Sequence, residues 1–276
     1  MALVINNNIA SLNAQRNLVT NNSRLAVSVA RLSSGLRINS AKDDAAGLSI
    51  SEKLRAQYRS INVAVRNAQD GISVAQTAEG GFSELGNLIG RMRELAEQAA
   101  SGLLADNSSE RTALNTEFSA LKAEITRIAT VTEFNGQKLL DGTFSVGMSV
   151  QIGIRNTAND RLTISIGSQL TVATGITSDL NTAAGAQTAL GEVDTALDNV
   201  TASRGALGAI QNRFESVMAN LRVAGENVAA AESAIRDTDF AYETAQFTKN
   251  QILVQAATAM VAQANVLPQA ALQLLK

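Results

Sequence analysis

The amino-acid sequence predicts a mainly α-helical protein: a long, coiled-coil-like helical bundle formed by both chain ends, with a small antiparallel β-hairpin region at the turning point. Three observations carry this. Apolar residues recur at steps of three and four over long stretches in both halves, the spacing of helices packed side by side. The 276 residues contain one proline, Pro268; a proline in a helix interior costs roughly 3 kcal/mol, so residues 1–267 are free to run as long helices. Aromatic residues make up 3% of the chain, with no Trp. Ala, Leu, Ile and Val must therefore supply the packing, which suits closely spaced helices.

Taken in order, Leu18, Leu25, Val29, Leu32 and Leu36 line one face near the N-terminus. The stretch NSAKDDAAG (39–47) follows. Ser40, Asp43 and Asp44 suit a helix start there, accepting backbone N–H groups at the positive end of the dipole. As a metal or acid–base site the two aspartates lack the several convergent oxygens a hard cation needs. A first long helix reads Leu54, Tyr58, Ile61, Val65, Ala68, Ile72, Ala75, Ala78, Phe82, Leu85, Ile89, Met92, Ala96, Ala99, roughly 69 Å at about 1.5 Å per residue. A shorter segment carries Leu114, Phe118, Leu121, Ile125 and Ile128.

The middle changes character. Asn135–Gly136 and Asp141–Gly142 are hairpin-turn pairs. Val150, Ile152 and Ile154 then alternate with polar residues, as do Leu162, Ile164 and Ile166, with residues 156–160 as the loop between them. Residues 167–188 are rich in Thr, Gly, Ser and Ala and only weakly periodic. The second long helix runs through Leu190, Val193, Leu197, Val200, Arg204, Leu207, Ile210, Phe214, Val217, Leu221, Ala224, Val228, Ala231 and Ile235. Both long patterns contain one extra step of three, at Ala75–Ala78 and Leu207–Ile210, a stammer that overwinds the packing seam. Last, Leu253, Ala257, Met260, Ala264, Leu267, Ala271 and Leu274 line a C-terminal face, interrupted by Pro268. Chain ends are ordinarily polar and frayed, so two amphipathic ends call for a partner. Burying five such aliphatic side chains is worth on the order of 10 kcal/mol before ordering entropy.

The composition excludes much chemistry. His and Cys are both absent, so neither an imidazole-assisted nucleophile nor a disulfide is available. No phosphate-binding glycine motif follows a strand, and a catalytic or cofactor site is not expected. A net charge of −2 argues against nucleic acid. Membrane insertion is not expected either: no apolar run approaches a span, and Lys and Arg do not cluster on the polar helix faces. The N-terminal segment lacks the pattern of a cleaved secretory signal, so export is expected by a route that removes no leader. An amphipathic secreted adhesin or membrane translocator is the alternative from another class.

The sequence resembles the bacterial flagellins. The resemblance lies in LSSGLRINSAKDDAAGLSIS (32–51), NAQDGISVAQTAEG (67–80), RMRELAEQA (91–99) and EFNGQKLLDG (133–142), and again in LGAIQNRFESVMANL (207–221), AAESAIRDTDFAYET (230–244) and ILVQAATAMVAQANVLPQAALQLL (252–275). It implies a structural subunit of the swimming filament. Residues 1–44 and 236–276 would form a terminal inner core. Residues 45–188 and 189–235 would form an outer helical layer, with the hairpin region at about 133–188 and no large variable outer domain. Partners implied are further copies of the chain, the flagellar export apparatus, a cytosolic chaperone on the C-terminal segment, and the filament cap and hook-junction proteins. A host Toll-like receptor contact would fall on Arg91, Leu95 and Glu117, although Gly90 and Glu97 depart from the family's usual Gln and Val. A hook–filament junction protein shares the terminal design and is the nearer alternative.

Overall fold

The computed structural model describes residues 7–273, with side-chain surroundings through residue 266. Its helices are α1 (Ile9–Ser34), α2 (Ala45–Ala100), α3 (Ser109–Val131), α4 (Leu170–Gly175), α5 (Ala183–Arg236) and α6 (Phe240–Gln273). Its strands are β1 (Glu133–Phe134), β2 (Gln137–Lys138), β3 (Met148–Gln151) and β4 (Arg161–Ile164). The two long helices reach 56 and 54 residues, beyond the apolar pattern that predicts them. Alanine-rich flanks such as 183–189 carry high helix propensity, and Ala186 and Ala189 there are buried in the core. The chain forms two compact units, residues 1–58 with 227–276, and residues 59–226.

In the first unit α1 and α6 pack antiparallel. Four cross-links set the register: Asn8 Nδ2 donates to the Ala264 carbonyl at 2.7 Å, Ser11 Oγ to Asn265 Oδ1 at 2.8 Å, Asn250 Nδ2 to Ser28 Oγ at 3.3 Å, and Arg31 pairs with Glu243 at 3.4 Å. The first of these explains how a helix passes through Pro268. In an unbroken helix the Ala264 carbonyl takes the N–H of residue 268, but proline has none, and Asn8 supplies the missing donor. Asn8 also caps α1, its Oδ1 accepting the Ser11 N–H. Replacing Asn8 with Ala should therefore cost about 1 kcal/mol at the start of α1. The expected readout is a roughly fivefold faster amide exchange over its first turn.

The corners of this unit come from the motifs SSG and DTD. Gly35 ends α1 in the left-handed conformation (φ 72°), its N–H bonded to the Arg31 carbonyl. Leu36 bridges to Asp237, the Thr238 N–H reaches the Gly35 carbonyl, and Asp239 caps α6 at the Ala241 and Tyr242 N–H groups. At the start of α2, Asp44 accepts the Gly47 N–H at 2.8 Å. Asp43 accepts the N–H groups of Asn39 and Ser40. Ser40 does not accept as expected: its hydroxyl donates to Asp43. The Ser40 backbone N–H, then its hydroxyl and the Asn39 N–H, hold the Asp43 carboxyl below its usual value. A depressed carboxyl stabilises above its unfolded pKa of about 3.9 and loses that effect as pH falls through the folded value. The 39–43 turn should thus persist to about pH 4 and release below it, followed as the pH-dependent amide shift of Ser40.

The second unit is built on α2 and α5, also antiparallel. Arg93 pairs with Asp194 and Arg204 with Glu79, at 2.7 and 2.8 Å. The Phe214 ring lies against Gly71, where a Cβ would come within 2.7 Å of it. Ala75–Ala78 and Leu207–Ile210 fall between the Gly71–Phe214 and Glu79–Arg204 contacts, so the two extra steps of three sit level on facing helices. Phe82, Phe118 and Phe214 are fully buried with Leu85, Ile89, Met92, Leu95, Ile125, Leu139 and Leu140.

Asn135 (φ 50°) and Gly136 (φ 75°) turn β1 into β2, the two positive φ values of a tight hairpin turn. Asp141–Gly142 makes no hairpin. Asp141 accepts the Thr143 N–H and hydroxyl, and Gly142 (φ 101°) leads into a 3-10 turn, Thr143–Val146. β3 pairs with β4 from Met148↔Ile164 to Gln151↔Arg161. The ladder stops before Ile152 and Ile154 because the Ile152 and Gly153 N–H groups both turn to the Asp160 carbonyl. The weakly periodic 167–188 segment is ordered as α4 and its flanks, with Val172, Ala173, Ile176 and Leu180 buried and Lys122 donating to the Ile176 carbonyl.

Candidate functional site

The α1–α6 pair is where the chain leaves the most apolar surface unexplained. Its buried positions are Ser11, Ser28, Glu243, Asn250, Ala257 and Ala264, polar or small throughout. Leu18, Leu25, Leu32 and Leu253 are half-buried beside them, and Leu36 is half-buried at its bridge to Asp237. Val29 and Met260 lie off the seam, 48% and 61% exposed. The side chain of Leu267 and all of Leu274 lie outside the described residues.

More apolar bulk faces outward than the terminal stripes contain. Ile9, Leu12, Val19, Ile252 and Val266 are all at least half exposed. Sequence reasoning passed over them because it followed a single 3–4 face. Their signal is the sevenfold step of Leu12–Val19 and Ile252–Ala259–Val266, a second face beside the first. The consequence is energetic. A buried Asn–Ser pair fixes register at some cost in stability, while the aliphatic groups that would stabilise a pair remain in water. The seam thus fixes one register between α1 and α6 and leaves aliphatic side chains exposed.

The other sequence-predicted group lies in the second unit. Arg91 donates to Glu94 and Glu117 at 2.9 Å each, bridging α2 to α3. Hydrogen bonds to Glu94, then to Glu117, raise the guanidinium above its ordinary value. All three side chains are about half exposed or more, so the bridge adds little stability. Leu95 is 1% exposed in the apolar core. Arg91 and Glu117 are thus exposed, while Leu95 is buried. Among the described residues no cluster of acidic side chains has metal-site geometry, and no helix is long and apolar enough to cross a membrane.

Comparison with known proteins agrees with this architecture. Residues 5–145 match the bacterial flagellin N-terminal helical region and residues 190–275 the bacterial flagellin C-terminal helical region. The chain is 43% identical to flagellin of Bacillus subtilis, with 99% of each chain covered. It is 45% identical to flagellin of Halalkalibacterium halodurans, over 99% of this chain and all of that one. Among solved structures, the crystal structure of Bacillus cereus flagellin matches with a TM-score of 0.50 and 31% identity, covering 60% of this chain and 94% of that one. With two family regions spanning most of the sequence and relatives matched end to end, the chain belongs to the bacterial flagellins and is a structural subunit of a flagellar filament.

Proposed function

We propose that the chain polymerises through the outward apolar side chains of α1 and α6, residues 1–44 and 236–276 forming the inner core of the filament. Residues 45–188 and 189–235 form the layer around it, with no large outer domain. One observation carries this reading: the pair buries serine and asparagine while presenting Ile9, Leu12, Val19, Ile252 and Met260 to solvent. Sheltering five such side chains is worth on the order of 10 kcal/mol, and a contact that does not close on itself extends without limit.

The rest of the reading comes from family membership. The subunit is non-catalytic, consistent with a sequence that has no His or Cys. It leaves the cell through the flagellar export apparatus and functions outside it. A cytosolic chaperone shields the apolar 236–276 segment beforehand, and cap and hook-junction proteins bound the filament. A host Toll-like receptor reads Arg91 and Glu117.

The test is to supply the gene to a motile bacterium lacking its own flagellin. Long extracellular filaments and restored swimming are expected, with antibody labelling along the whole length; labelling at the base alone would mark a junction protein instead. Monomer applied to receptor reporter cells tests the last element, which fails if Glu117→Lys signals like the native chain.

A further inference from the structure

The unit spanning 59–226 has an apolar knob toward one end of α2 and an apolar groove toward the other. The knob is Leu103, 95% exposed in the loop between α2 and α3. That loop is firmly rooted. Buried Arg111 donates to the carbonyls of Ala99, Ser101 and Leu104, and Asp106 Oδ1 accepts the Ala183 N–H at 3.0 Å. The groove, about 390 Å³, lies between α2 and the segment after β3, lined by Val63, Ala64, Asn67, Ile154 and Arg155. Asn67 Nδ2 donates to the Gln151 carbonyl at 3.0 Å and fixes its wall. Val63 and Ile154 are 45% and 39% exposed.

Charge distinguishes the two ends. On α2, Arg59 and Arg66 lie four before and three after Val63, on adjoining positions of one helix surface. With Arg155 they are exposed and make no ion pair among the described residues. Beside the knob, Asp106 and Glu110 are exposed, Asp106 reaching Arg111 only at 3.8 Å. Between Val63 and the end of α2 lies roughly 56 Å of helix at about 1.5 Å per residue, so the knob cannot fill the groove of its own chain.

We infer that Leu103 of one copy seats in the Val63–Ile154 groove of the next copy, with Asp106 and Glu110 meeting Arg59, Arg66 and Arg155. This deepens the filament reading and rests on it. A knob and groove on opposite ends of one unit make a head-to-tail contact, the kind that generates an open polymer. The occupant is a second copy because the charges beside the knob complement those around the groove.

The native sequence has no cysteine, which makes the contact directly testable. Full-length chain carrying Leu103→Cys and Val63→Cys is polymerised, oxidised mildly and run without reductant. A ladder of dimers, trimers and higher species is expected, and none from Leu103→Cys paired with Val131→Cys, an exposed site at the end of α3. Filaments of the Leu103/Val63 variant that give no ladder overturn the inference, as does an equal ladder from the control. If the double variant does not elongate, the two single variants are co-polymerised with excess native chain: a cross-linked dimer supports the contact and its absence overturns it. Independently, Leu103→Asp should raise the concentration needed for seeded growth roughly tenfold with unchanged circular dichroism; growth at the native threshold overturns the inference. Failure of the native chain to form filaments at all would strike the filament reading itself, and the inference with it.

Discussion

A chain carrying Leu12→Asp, Val19→Asp and Met260→Asp together should remain monomeric under conditions where the native chain elongates to completion. All three side chains are more than half exposed in the α1–α6 pair, so the substitutions leave the Ser11, Ser28 and Asn250 seam untouched. In a polymer interior each removes about 1.5–3 kcal/mol of apolar burial and brings in a carboxylate whose desolvation costs several kcal/mol more. Together they exceed the order of 10 kcal/mol available from the terminal faces. Light scattering after seeding measures elongation, and circular dichroism checks that helix content is retained. Growth within a few-fold of the native rate would place the polymer contacts elsewhere.

The second large effect concerns stability. Arg111→Met should destabilise the 59–226 unit by about 3 kcal/mol. Arg111 is fully buried, and its Nη1, Nη2 and Nε donate to the carbonyls of Ala99, Ser101 and Leu104. The Ala99 carbonyl lies in the last turn of α2, where helical acceptors have no partner of their own. Cationic charge there also complements the negative end of the helix dipole. Methionine fills comparable space but leaves these carbonyls unpaired. A fall in the urea midpoint with an unchanged slope is the expected signature. Arg111→Lys should recover only part of the loss, because an ammonium cannot reproduce the planar fork. A midpoint unmoved by Arg111→Met would show that the loop satisfies its carbonyls by other means.

Local chemistry was the most legible layer of this protein. Asp44 and Asn135–Gly136 each act within a few residues of themselves, as a cap and a tight turn, so composition and spacing suffice to place them. Asp141–Gly142 has the same turn chemistry and makes no hairpin. There Asp141 accepts the Thr143 N–H and Gly142 leads into a 3-10 turn, so the same dipeptide opens a different turn. Residues 167–188 escaped for a related reason. The six residues of α4 are too few to show a helical period, and their burial depends on α3, far away in the chain. Arg111 gave no signal at all, since an arginine on a helical pattern reads as a solvated face until the loop it anchors folds over it.

By itself the sequence determined that the chain is long helix at both ends, that a small hairpin region divides them, that no histidine or cysteine chemistry is available, and that its motifs are those of flagellins. Only the tertiary structure decided which face of each terminal helix meets the other. A 3–4 period shows that a helix has an apolar side, but burial is a property of two surfaces together. Asn250 and Ser28, 222 residues apart, find each other across the seam, and that pairing leaves Leu12, Val19 and Met260 turned toward solvent.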